Sequence, residues 1–224
     1  MSFAERRRRP GAVVMVHGCH PDVDRWDEIQ WGDSSVGFGR LRVGFDAAAM
    51  LGADLLVLGG SLVGADGVVE SSRTERLLLS RAGELIRPSV PGFRSESEVI
   101  SWLSARLRLD ETSRTTAEEA ELAVAAAIER RCDVLASVSS STHLPRCLRD
   151  VCAAAERSGW RGRVCGFASP VRHAGASASD VVVLEPSHRP DRPVSSLHCL
   201  VRRAMESSPE TLAKVERAMA SALD

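Results

Sequence analysis

The chain has 224 residues, 44% hydrophobic and 26% charged, enough to enclose one α/β core and little beyond it. A net charge of −1 excludes the broad basic footprint of a nucleic-acid binder, and no apolar run is long enough for a membrane span or a signal-peptide core. Six cysteines with no C-x-x-C pair suit a reducing, cytoplasmic setting, and a single Lys, Lys214, among 29 basic residues reflects genome composition rather than a binding site.

Residues 1–10, with Arg6 to Arg9, read as a disordered basic arm, and residues 11–224 as one domain. Ala12 to Val16 is a buried strand that runs into the polar loop His17-Gly-Cys-His-Pro-Asp-Val-Asp24. Arg25 to Val36 reads as an irregular excursion over the strand end. A helix from Gly39 to Leu51 follows, with Leu41, Phe45, Ala48 and Ala49 on one face and Gly52 to end it. Asp54 to Leu58 is a second strand, ending in Gly59-Gly60-Ser61, where glycines allow a tight turn and close approach to a ligand. Gly67 to Ile86 and Glu96 to Leu107 read as helices separated by Pro88 to Phe93. The next helix opens with a capping box, either Thr115 with Glu118 or Thr116 with Glu119.

The third strand is carried by Val134, Leu135, Ala136 and Val138. Ser139 to Thr142 break it, and Pro145 suits the first turn of the helix beyond. Arg163 to Ala168 and Val181 to Leu184 are the fourth and fifth strands. Glu185 to Arg192 is a Pro-rich loop with His188 and Arg189, and helices at Val194 to Met205 and Pro209 to Leu223 make the C-terminus helical.

Alternating strands and helices imply a three-layer α/β fold with a mostly parallel five-stranded sheet. With the order second–first–third–fourth–fifth, His17 and His20 face His143 and Arg146 across one crevice at the carboxyl ends of the strands, where such folds bind ligands. His143 can move protons near neutral pH, and Arg146 can clamp phosphate or carboxylate beside a helix N-terminus. Ser141, Thr142, Gly59, Gly60 and Ser61 lie on the loops around that crevice. Glu118 has two readings: a helix-capping carboxylate, or a group that orients His143. Ser141 or Thr142 can equally be a helix N-cap.

Two stretches carry a family resemblance. Asp110-Glu-Thr-Ser113-Arg-Thr-Thr116-Ala-Glu118-Glu-Ala120 is similar to the pattern E-x-x-S-x-N-T-x-E-N-A, and Ser-Thr-His143-Leu-Pro145-Arg146 to S-x-Y-H-M-P-R-A. Together with Leu56-Val-Leu-Gly-Gly-Ser61 they resemble the YdcF-like (ElyC/SanA/YdcF) family of bacterial proteins. The resemblance implies a Rossmann-like fold, nucleotide-like or S-adenosylmethionine ligands, and site roles for Ser113, Thr116, Glu118, His143 and Arg146. The chain departs from the family pattern in having Thr115 and Glu119 where the pattern has Asn. The loop from His17 to Asp24 replaces a glycine-rich turn.

Three functions follow as expectations. The first is an enzyme acting on an anionic, phosphorylated or nucleotide-like small molecule by hydrolysis or group transfer. In it His143 is general acid/base, Arg146 the anion clamp, and His17 and His20 are further bases. The second is a non-catalytic nucleotide or S-adenosylmethionine binding module. The third is a metal-dependent hydrolase whose divalent ion is held by His17, His20 and Asp22. No nucleic-acid or membrane partner is expected.

Overall fold

A computed structural model of the chain describes residues 11–33, 35, 37–88, 90 and 92–171. The expectations for the basic arm, the strand at 181–184, the loop at 185–192 and the C-terminal helices lie outside the described residues.

The elements in chain order are β1 (Ala12–Val16), α1 (Trp26–Trp31), the two-residue strands β2 (Gly32–Asp33) and β3 (Gly37–Phe38), α2 (Arg40–Leu51), β4 (Leu55–Leu58), α3 (Glu70–Ser80), α4 (Glu96–Ser104), β5 (Leu107–Leu109), α5 (Thr116–Arg130), β6 (Val134–Ser140), α6 (Leu144–Ser158) and β7 (Arg163–Ser169). Five strands form one parallel sheet in the order β5-β4-β1-β6-β7, a Rossmann-like arrangement. The chain walks from β1 outward to β5, then crosses back to β6. The strand order therefore reverses between β1 and β6, and their carboxyl ends flank the switch point.

The alternation of side chains along β1 divides the core in two. Val14 and Val16 face a layer containing Leu41, Phe45, Leu78 and Leu103, from α2, α3 and α4. Val13 and Met15 face Ala120, Ala123, Ala127, Val151 and Ala154, from α5 and α6. The small residues of α5 let it lie close to both the sheet and α6. Among the described residues no helix is long and apolar enough to cross a membrane.

Several sequence expectations are corrected here. The edge strand β5, Leu107–Leu109, was not expected; it begins at the last residue of the helix expected from Glu96 to Leu107. That helix ends at Ser104, and Leu107 and Leu109 pair with Leu56 and Leu58. Three residues of Leu-Arg-Leu alternation are too short to outweigh the helical pattern before them, so the pairing is decided by β4. The expected helix from Gly67 to Ile86 is shorter: α3 spans Glu70–Ser80, and a 3₁₀ turn follows at Ala82–Leu85. Its beginning is extended because Val69 bridges Val63. The excursion after β1 contains α1 and the β2–β3 hairpin. Finally, Ser139 and Ser140 do not break the third strand. They continue β6 opposite Ala168 and Ser169, fully buried, because other side chains satisfy their hydroxyls.

Phe45 anchors the α2 layer, with its ring centroid 5.3 Å from that of Phe93 and 5.5 Å from that of Trp102. Phe45→Ala should therefore cost about 3–5 kcal/mol of unfolding free energy, measured by urea denaturation. A loss of about 0.5 kcal/mol or less, the size of a surface substitution, would contradict this packing.

Candidate functional site

The carboxyl edge of the sheet carries a concentration of polar side chains withdrawn from solvent. His17 follows β1 directly, and its backbone N–H donates to Val138 O of β6 at 3.0 Å. That bond fixes the ring in the layer between the sheet and α5. Its Nδ1 lies 2.7 Å from Glu119 Oε2 and its Nε2 2.7 Å from Ser137 Oγ. The ring is 0% exposed and Glu119 5%. Burial works against a charge on His17, but the neighbouring Cys147 sulfur and the Glu119 carboxylate more than offset it, and the imidazole is pushed up to about 10. His17 is thus an imidazolium at neutral pH.

Glu, His and Ser in contact have the outline of a hydrolytic triad, but the chemistry is wrong for one. A triad base must be neutral to take the serine proton. Ser137 lies in mid-strand, paired to Met15 on one side and Gly166 on the other, and is 0% exposed. The trio is an internal brace.

The same carboxylate closes the turn after β1. Gly18 N donates to Glu119 Oε1 at 3.0 Å, and Cys19 N donates to Glu70 Oε1 from the first position of α3. In related folds the amides of this turn cradle a ligand phosphate; here the protein's own carboxylates take them. Three glycines make room for the carboxylates. A Cβ on Gly59 would come within 2.4 Å of Glu119 Oε1, one on Gly60 would collide with the Glu70 side chain, and one on Gly18 would meet both. Burial, with Glu70 and Glu119 adding to it and Arg40 opposing, pushes the Cys19 thiol up to about 11, which rules out a thiolate nucleophile there at neutral pH.

On the other side of the switch point, His143 forms the N-cap position of α6. No side chain caps this helix. The ring's Nδ1 is 2.9 Å from Ser139 Oγ and its Nε2 3.3 Å from Thr116 Oγ1. Arg146 Nη2 lies 2.5 Å from the same Nε2. A guanidinium can only donate, so Nε2 is the acceptor and the proton sits on Nδ1, donated to Ser139. His143 is therefore neutral in this contact. Its ring centroid is 6.4 Å from that of His17, edge-on at 74°, and Cys147 Sγ is 3.7 Å from its Nδ1.

Of the residues singled out from sequence, His143, Thr116 and Arg146 come together. Ser61 and Ser113 meet each other instead: Ser61 Oγ donates to Ser113 O at 2.7 Å, while Ser113 N donates to Asp110 Oδ1 at 3.0 Å. Ser141 N donates to Ser169 O at 3.0 Å and Thr142 is buried in the β6–α6 turn, so neither is the N-cap.

Glu118 does not orient His143. It lies exposed in the capping box, its Oε2 accepting from Arg114 N at 2.6 Å and Thr115 N at 3.1 Å. The carboxylate that enters the interior is Glu119, one residue on, and its imidazole is that of His17. His17 is accordingly no free base. His20 sits in the turn beyond, where its Nδ1 accepts from Asp22 N at 3.3 Å. Asp22 Oδ1 accepts from Ala65 N at 3.0 Å. Both nitrogens of His17 are engaged, and among the described residues no three His, Cys, Asp or Glu side chains are placed to hold a metal ion. The metal reading of this loop does not fit the residues.

Glu70, Glu119, Arg40, Ser137 and Ser139 were missed. Glu119 had a usable signal: it lies three residues from Thr116 and four from Ala123, on the buried face of α5. Models of known families, curated proteins and solved structures were compared with the chain, and none matches.

The raised imidazole has a signed consequence for stability. A proton held with a folded value of about 10 against an ordinary 6.5 stabilises the fold fully below about 6.5 and progressively less as pH rises toward 10. Glu119→Gln removes one of the two groups that raise it, the other being Cys147. In denaturant unfolding, the stability gap between wild type and Glu119→Gln should be widest near pH 6 and narrow toward pH 10. A gap constant across that range would contradict a charged His17.

Proposed function

We propose that the chain is an enzyme that acts on a small anionic molecule by hydrolysis or group transfer at the junction of β6 and α6, with His143 as general acid/base and Arg146 as anion clamp. The observation that carries this reading is the contact between Arg146 Nη2 and a neutral His143 Nε2 at the uncapped start of α6. The guanidinium and the positive end of a 15-residue helix favour a negative group at one place. An anion that draws Arg146 toward itself would release the Nε2 lone pair beside the bound group. The ring could then accept a proton there and return it to a leaving group. Ser139 and Thr116 hold the ring in the tautomer this requires.

The occupied turn after β1 supports the same location, because its amides of Gly18 and Cys19 already have carboxylate partners. Of the five residues to which the YdcF-like resemblance gives site roles, Thr116, His143 and Arg146 lie together and Ser113 and Glu118 do not; on the three that meet, we extend the proposal to membership of that family. The second reading, a module that holds a nucleotide or S-adenosylmethionine without turnover, is favoured by one detail: the acceptor nitrogen of His143 is itself engaged by Arg146 and Thr116.

The test uses the full chain and a panel of nucleotides and sugar phosphates, with turnover read by phosphorus NMR. His143→Ala should lower turnover by about 10²–10⁴-fold while leaving affinity nearly unchanged, and His143→Gln should not restore it. Arg146→Ala should weaken binding by about 1.5–3 kcal/mol, with Arg146→Lys recovering only part. Full turnover in a folded His143→Ala protein would contradict the catalytic role. Binding across the panel without any product would favour the second reading.

A further inference from the structure

Arg40, the first residue of α2, has no exposed atom. Its Nε donates to Ser140 Oγ at 3.0 Å, and its Nη1 donates to the carbonyl oxygens of His17 at 3.1 Å and Gly18 at 2.6 Å. Among the described residues its Nη2 has no hydrogen-bond partner, and no carboxylate forms an ion pair with it. Carbonyl and hydroxyl oxygens orient a guanidinium but do not cancel its charge. A buried cation with an unused donor is costly unless an anion meets it.

The position of this cation is set by β6. Ser139 and Ser140 are adjacent on the strand, so their side chains leave on opposite faces of the sheet. Ser139 holds His143, and through it the guanidinium of Arg146, on the α5–α6 side. Ser140 holds Arg40 on the α2 side. Two guanidiniums thus approach the end of one strand from its two faces.

We infer that Arg40 is a second anion-binding side chain of the site, acting opposite Arg146, and that the group held between them is a tetrahedral oxyanion of the phosphoryl class. This rests on the reading that the anion binds at the β6–α6 junction. The geometry of the acceptor decides the class. A carboxylate presents two oxygens in one plane and on one side of its carbon, which suits a single fork. A phosphoryl group presents three terminal oxygens in divergent directions and up to two negative charges, so it can be met from both faces.

The probe is inorganic phosphate, with acetate as the planar comparison. Affinity is measured by titration calorimetry and by the rise in melting temperature on the full chain. Wild type should bind phosphate at least ten-fold more tightly than acetate. Arg40→Lys keeps the charge but not the fork, and should bind phosphate at least ten-fold more weakly while unfolding in phosphate-free buffer as a single cooperative transition. Ser140→Ala loosens the Arg40 anchor without altering any charge. It should also lose phosphate affinity, and it decides the matter if Arg40→Lys does not fold.

Unchanged phosphate affinity in a folded Arg40→Lys or in Ser140→Ala would overturn the role of Arg40 while leaving the Arg146 site standing. Equal affinity for acetate and phosphate in wild type would overturn the phosphoryl class. No phosphate binding by wild type would overturn both this inference and the anion site on which it rests.

Discussion

A carboxylate placed under the end of a central strand must find compensation where it stands, and much of this molecule is arranged to supply it to Glu119. One oxygen meets the imidazolium of His17 and the other the amide of Gly18. The imidazolium is in turn held from its far side by Ser137 in the neighbouring strand. This links three elements, β1, β6 and α5, by interactions that are strong because water is excluded, and each would be costly to lose. Removing one partner of such a pair typically costs about 3–5 kcal/mol, since the other charge is left buried alone. The constraint reaches into the glycines. Gly59 has no Cβ because the carboxylate occupies that space, and Gly60, at φ +105°, leaves room for Glu70.

The brace has a functional corollary. The turn after the first strand is where a doubly wound fold ordinarily offers its amides to a ligand phosphate. Here Glu119 and Glu70 hold those amides, so an incoming anion would have to displace two carboxylates to use them. The start of α6 has no capping side chain and has a guanidinium beside it. The two sides of the switch point thus differ: the amides of one are held by the protein's own acids, and the other is where we propose that the anion binds. His17 and His143, only 6.4 Å apart, fall on opposite sides of this division, one an imidazolium and the other neutral.

Much of the fold was legible because periodicity reports burial. The apolar run Ala12 to Val16, the alanine spacing of α5 and the αL glycine at Gly52 each have a local cause that acts whatever the tertiary context. The order of the four strands β4, β1, β6 and β7 agrees with that expected from the sequence, since it follows from where the polar loops must gather. The edge strand β5 was not legible, because three residues carry too little pattern and β4 supplies the rest.

The nearness of His143, Thr116 and Arg146 was legible, because loop chemistry sits beside a helix start. Glu118 was misread, because an acid three residues after a threonine satisfies both a capping box and a site motif. Only the angle around α5 separates the exposed Glu118 from the buried Glu119. Arg40, Glu70 and Ser139 had no sequence signal, since Arg40 and Glu70 are buried by partners on other elements and Ser139 by a strand extended through its serines.

On the function proposed above, the protein's own carboxylates close the β1 turn and the anion goes to the β6–α6 junction. The most direct measurement is a titration of the full, uniformly ¹⁵N-labelled chain with inorganic phosphate, followed through the backbone amides. The largest shifts should fall at Ser141 to Leu144, Arg146 and Cys147, with smaller ones at Gly18 and Cys19, whose peptide carbonyls are held by Arg40 and whose amides keep their carboxylate partners. Large shifts at Gly18 and Cys19, with Ser141 to Cys147 unmoved, would contradict that placement of the anion.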